Sequence, residues 1–197
     1  MSDIFKKRIS KDEINVLPII SFSGKIVLCD TKEKADNAVK KILDQKVIGF
    51  DTETRPSFKK GEYYHPSLIQ LACENIVYIF QIRKCSLTKS LIKIFSSKKI
   101  IKTGVAIKHD VNELQKMTYF DAHRFIELSD IARNSGITNL GLRSLTAIFL
   151  QQRLSKKEQV SNWSKENLSE SQMLYAATDA WLSKKLYHIF EENDLLA

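Results

Sequence analysis

Apolar residues along this chain fall into two rhythms. Short, nearly unbroken apolar runs bounded by polar or turn residues predict strands at 25–29, 47–50, 67–73, 76–80, 100–103 and 125–128. Elsewhere apolar positions recur every three or four residues. That spacing predicts helices over 31–43, 87–95, 108–117, 129–133, 140–150 and 169–192. Strands 67–73 and 76–80 are separated only by Glu74 and Asn75, so they form a hairpin. A sheet that contains a hairpin and is followed mostly by helices is mixed, not all-parallel. The fold class predicted is therefore α/β, a mixed sheet flanked by helices.

Local signals place several element ends. Asp30, with Glu33 three residues on, is the expected cap of the first long helix, and Ser169 with Gln172 that of the last. Pro56, Gly61 and Pro66 mark 55–66 as a loop. A polar segment at 151–165 carries Trp163. Residues 1–23 read as an N-terminal arm and 24–197 as one folded domain. The basic cluster Lys6-Lys7-Arg8 in the arm reads as a solvated tail.

At 197 residues, with 43% apolar and 27% charged residues, the chain has the make-up of one globular domain with a real core. Its net charge of +8 favours a polyanionic partner. Three cysteines, Cys29, Cys73 and Cys85, lack C-x-x-C spacing, which argues against a disulfide frame or zinc site and for reduced thiols. No apolar run reaches membrane-span length, so no membrane partner is expected. An intracellular location follows, cytoplasmic in a bacterium and nuclear as an option in a eukaryote. No residue pattern sets an oligomeric state.

Candidate chemistry enters at the end of the second strand. Asp51 and Glu53 are two residues apart, so both point to one face, with alpha carbons roughly 6.6 Å apart at about 3.3 Å per residue. Two such carboxylates repel unless a proton or cation lies between them, and hard divalent cations such as Mg²⁺ take oxygen ligands of this kind. In the last helix Tyr175 and Asp179 share a face that continues into Leu182, Leu186 and Ile189. Asp110 sits in the first turn of its helix. Each of these residues has an ordinary role when taken singly: a solvated strand end, a helix-dipole acid, a half-buried tyrosine. His65, His109, His123 and His188 show no ligand spacing.

Taken together, Phe50-Asp51-Thr52-Glu53, then Gly104 through Asp110, then Tyr175-Ala176-Ala177-Thr178-Asp179-Ala180 resemble, in order, the three motifs of the DEDDy 3′–5′ exonucleases. Within that family the chain looks most like the exonuclease domain of the Werner syndrome protein and its stand-alone plant and bacterial relatives. Ser161-Asn162-Trp163-Ser164 and Arg55-Pro56-Ser57-Phe58 add to that likeness. Relatives often carry Arg-Pro-Leu where this chain has Glu166-Asn167-Leu168.

The resemblance implies a ribonuclease-H-like fold and 3′–5′ exonuclease chemistry with two divalent metal ions, Mg²⁺ or Mn²⁺. It implies that Asp51, Glu53, Asp110 and Asp179 are metal ligands, with Tyr175 orienting the attacking water. The implied partner is a nucleic acid with a free 3′ end, DNA by the Werner-type likeness, and a helicase, if one takes part, in a separate chain. Trp163, Phe58 with its neighbours Lys59, Lys60, Tyr63 and Tyr64, and Arg143 are the candidate substrate contacts. Two rivals stand beside this expectation: a ribonuclease-D-like trimmer of RNA 3′ ends, and a catalytically silent nucleic-acid binder. The presence of all five site residues counts against the second.

Overall fold

The computed structural model describes residues 5–196. Six strands form one mixed sheet: β1 (Lys25–Cys29), β2 (Val47–Thr54), β3 (Pro66–Ala72), β4 (Ile76–Gln81), β5 (Ile101–Gly104) and β6 (Phe125–Glu127). Their order across the sheet is β1-β4-β3-β2-β5-β6. The β2–β3 and β3–β4 pairs are antiparallel, and β1–β4, β2–β5 and β5–β6 are parallel. The predicted hairpin, β3–β4, is present, and its strand β3 is central beside β2. β2 runs on through both acids to Thr54, four residues beyond the apolar run, because β3 continues to pair with it.

Eight helices complete the described chain: α1 (Lys11–Asn15), α2 (Lys32–Ile42), α3 (Ile82–Cys85), α4 (Lys89–Phe95), α5 (Ile107–Met117), α6 (Leu128–Asn134), α7 (Leu142–Leu150) and α8 (Glu170–Glu192). α2, α4 and α5 cover one sheet face. Their apolar stripes, including Ala38, Val39, Ile42, Leu91, Phe95 and Leu114, pack with Ile48 and Phe50 of β2. α8 covers the opposite face, where Ala176, Ala177 and Ala180 pack on Leu68, Ala72 and Ile79. Small residues on α8 let the helix lie close to the strands. At Gly49 the approach is so tight that a Cβ would lie 1.8 Å from the Ala180 carbonyl oxygen.

Three local expectations are corrected. The cap of α2 is Thr31, whose hydroxyl accepts from the Lys34 N–H, while Asp30 instead pairs with the Lys34 ammonium at 2.7 Å. Leu128 begins α6 instead of ending a strand, because the Glu127 side chain accepts the Ser129 N–H and starts the helix there. α3 and α1 are short helices that periodicity did not show, being only four and five residues long. The reciprocal capping box of Ser169 and Gln172 at the start of α8 is present.

The described part of the arm lies on the domain. Ile9 and Ile14 are buried with Leu128, Ala132, Ile137 and Leu145. Phe22 packs under α8, and its N–H donates to the Thr178 hydroxyl at 3.1 Å. Residues 1–4 of the expected arm and residue 197 of the expected domain lie outside the described residues. The Cys29, Cys73 and Cys85 thiols are all free and buried, and burial pushes them up to about 12, 11 and 11 respectively. Among the described residues, no helix is long and apolar enough to cross a membrane.

Candidate active site

The close approach at Gly49 determines where α8 delivers its polar residues. Gly49, Asp51 and Glu53 face α8, and Ile48, Phe50 and Thr52 face α5, as strand alternation requires. Asp179 is adjacent to Ala180, the residue whose carbonyl rests on Gly49. Carboxylate oxygens of Asp51, Glu53 and Asp179 all come within 4.8 Å of one another. Asp51 and Glu53 are half-buried and Asp179 is 9% exposed.

Asp110 reaches the same end of β2 from the other side. The Thr52 hydroxyl donates to its Oδ1 at 2.8 Å. The turn before α5 is fixed by Glu127, whose two carboxylate oxygens accept the N–H groups of Ala106 and Ile107 at 2.8 and 2.7 Å. Ala106 adopts a left-handed φ of 62° in that turn. Gly104 is needed beside it, since a Cβ there would lie 2.5 Å from the Phe50 carbonyl oxygen.

Tyr175 stands one turn before Asp179 on α8, with its hydroxyl close to the Asp179 carboxylate. Behind it, Trp163 is 1% exposed and packs on the Tyr175 ring with centroids 5.9 Å apart. As placed, Trp163 offers no face to a base; it anchors the loop of 161–166 against Tyr175. That loop is held by Gln81, which donates to the Lys165 and Glu166 carbonyls, and by Arg83, which donates to the Ser164 carbonyl. Gln172 ties it back to α8 through the Ser161 hydroxyl at 2.8 Å.

Phe58 is 80% exposed on the loop after β2. The far side of that loop is fastened to α5, where the Tyr63 hydroxyl donates to Glu113. Arg143 donates through Nη2 to Asn15 of α1 at 2.6 Å, so it holds the arm. Three further residues build the site: Gly49, Thr52 and Glu127. Gly49 and Thr52 lie beside and inside the first motif, whereas Glu127 belongs to none of the three.

Electrostatics match a cation site. Burial, then the charges of Asp179 and Asp110, raise the Asp51 pKa well above the usual carboxylate range. Burial and the charge of Asp51 do the same to Glu53. Burial pushes Asp179 up to about 7 and Asp110 up to about 6. Oδ1 of Asp179 is buried without a partner among the described residues. A divalent cation answers each of these features: it offsets the repulsion, occupies the orphaned oxygen and accepts a set of hard carboxylate donors.

A pH dependence follows. Unfolded carboxylates titrate near about 4, so between about 4 and 7 the folded metal-free protein binds more protons than the unfolded chain. Its stability is therefore highest at the low end of that window and falls as pH rises through it. Surface acids with lowered pKa values, such as Glu13, Asp30 and Asp130, titrate below the window. Thermal melts in chelator should give a higher melting temperature at pH 5 than at pH 7.5, with saturating Mg²⁺ narrowing the gap. A melting temperature that climbs with pH would contradict the electrostatic account.

A family model described as 3′–5′ exonuclease matches residues 26–193. Mouse bifunctional 3′–5′ exonuclease/ATP-dependent helicase WRN is 32% identical over 181 residues, covering 87% of this chain and 13% of the relative. The chain likewise spans 40% and 66% of the next two curated relatives, so all three are longer. Among solved structures, the Aedes aegypti Nibbler EXO domain superposes with a TM-score of 0.77 at 25% identity, covering 87% of this chain and 95% of that one. Escherichia coli RNase D, an exoribonuclease involved in structured RNA processing, gives a TM-score of 0.77 at 21% identity, over 87% of this chain and 47% of that one. The mixed sheet and its flanking helices are the ribonuclease-H-like arrangement of these neighbours.

Proposed function

The chain belongs to the 3′–5′ exonuclease family, and from that membership we propose that it removes nucleotides one at a time from the 3′ end of DNA, releasing 5′-monophosphates with two divalent cations, Mg²⁺ or Mn²⁺. The observation that carries the proposal is the meeting of Asp51, Glu53 and Asp179 oxygens within 4.8 Å, with Asp110 and Tyr175 beside them. When bound, such cations lower the pKa of water and neutralise charge on the phosphate and the leaving oxygen. Asp51, Glu53 and Asp179, with Asp110 beside them, would hold such cations.

Tyr175 is the positioning group for the attacking water. Burial, then the nearby charge of Asp179, raises its pKa above that of an ordinary phenol. It therefore stays protonated and aligns a lone pair of the water without taking its proton. Replacing Tyr175 by Phe should cut kcat by about a hundredfold, at the low end of the range for such groups, with Mn²⁺ affinity nearly unchanged. Single-turnover rates and a metal titration check both halves; an unchanged rate would remove Tyr175 from the mechanism. Phe58, exposed on its loop, stacks on a base near the 3′ end, whereas Trp163 acts through Tyr175.

DNA is proposed because of the Werner-type likeness, supported by 32% identity to the mouse relative. The RNA reading has in its favour the fold similarity to exoribonucleases, among them a Trypanosoma brucei RNase D in complex with RNA. Strands of one sequence, made as 5′-labelled DNA and as RNA, decide between them in gel assays with Mg²⁺ or Mn²⁺. A ladder shortening from the 3′ end, faster on DNA, supports the proposal; faster loss of RNA selects the alternative. Salt-sensitive binding without cleavage would point to a silent binder. A helicase that exposes 3′ ends is the proposed partner, since the mouse relative joins both activities in its name.

A further inference from the structure

Gln70 lies in the middle of β3 and is fully buried, yet neither Oε1 nor Nε2 of its amide has a hydrogen-bond partner among the described residues. It stands directly opposite Asp51 in the antiparallel β2–β3 ladder. Residues so paired share a sheet face, with Cβ atoms about 4.5–5.5 Å apart. That face is the one under α8, because Leu68 and Ala72, two residues either side of Gln70, pack with Ala176, Ala177 and Ala180. On its other flank Gln70 is paired with Ile79 of β4, which belongs to the same apolar cluster. The amide is thus enclosed by apolar groups along its strand, on one flank and above. Asp51 is its polar neighbour across the ladder.

An unpaired buried amide is destabilising, and an apolar side chain of the same shape would avoid that cost. Stability therefore gives no reason for a glutamine here, whereas the Asp51 carboxylate does. We propose that Gln70 is a positioning residue for Asp51: once the carboxylate is drawn onto a divalent cation, the amide N–H donates to it and fixes its orientation. Groups that orient a metal ligand in this manner are worth about 10–100-fold in metal affinity. The inference rests on the proposed cation site and adds a residue outside the DEDDy motifs to it.

The test is Gln70→Met, which keeps length and volume and removes both polar atoms. Wild type, Gln70→Met and Asp51→Asn are stripped with chelator, melted, and titrated with Mn²⁺ by calorimetry. The metal-free Gln70→Met protein is expected to melt at or above the wild-type temperature, while its Mn²⁺ affinity falls about tenfold. Equal affinity in wild type and Gln70→Met overturns the inference, and so does a variant that melts lower or fails to fold, since that assigns Gln70 to packing. If wild type itself takes up no Mn²⁺, the cation site falls and this inference with it. If wild type binds and Gln70→Met binds as well, only the role of Gln70 is lost.

Discussion

Asp51→Asn should lower 3′-end hydrolysis by about a thousandfold, equivalent to about 4 kcal/mol of transition-state stabilisation, while raising the melting temperature of the metal-free protein. Both effects share one cause. Burial, then the charges of Asp179 and Asp110, raises the Asp51 pKa well above the carboxylate range. Asparagine keeps its shape and removes the repulsion, so the folded chain gains stability without metal. The same change deletes a carboxylate that would hold the proposed cations. Opposite signs for activity and apo stability separate this result from simple misfolding, which would lower both. A variant that melts lower and loses activity in proportion would assign Asp51 a structural role.

Gly49→Ala is expected to have the largest effect of any substitution away from the acids. Its methyl group would meet the Ala180 carbonyl oxygen at 1.8 Å and the carbonyl carbon at 2.9 Å. Both are backbone atoms inside a helix, so no side chain can rotate away and α8 itself must lift. Overpacking commonly costs about 1–3 kcal/mol, and a clash with backbone belongs at the upper end. For a chain of this size that lowers the melting temperature by about 6–12 °C. Activity should fall further than stability explains, because lifting α8 carries Asp179 away from Asp51 and Glu53. Thermal melts and rates measured well below the melting temperature check this. Wild-type kinetics in a folded Gly49→Ala protein would show that the α8–β2 spacing does not set the site.

Much of this architecture was legible in the chain because it is written locally. Each strand is a run of apolar residues, and α2, α5 and α8 carry periodic stripes that a single sequence displays. The D-x-E spacing and the Tyr175–Asp179 interval are local as well, but each is ordinary alone, and it is the resemblance of three ordered motifs that marks Asp51, Glu53 and Asp179, whose oxygens converge in the fold. What escaped depends on contacts between distant segments. Glu127 looked like a strand residue, and only the fold shows it holding the turn before α5. Thr31 displaced Asp30 as a cap because the Lys34 ammonium took the Asp30 carboxylate. Gly49 reads as an ordinary interruption in a strand until α8 is laid across it. Gln70 sits in an apolar run, where one polar residue gives no sign that Asp51 is its neighbour.

Crystals grown with a short 3′-ended oligonucleotide and soaked in Mn²⁺ test the central claim most directly through anomalous scattering. Two peaks are expected beside the 3′-terminal phosphate, both within about 2.1 Å of Asp51 oxygens, one shared with Glu53 and Asp179 and the other on the side of Asp110. Peaks elsewhere on the molecule, or an oligonucleotide whose 3′ end lies away from these carboxylates, would contradict it.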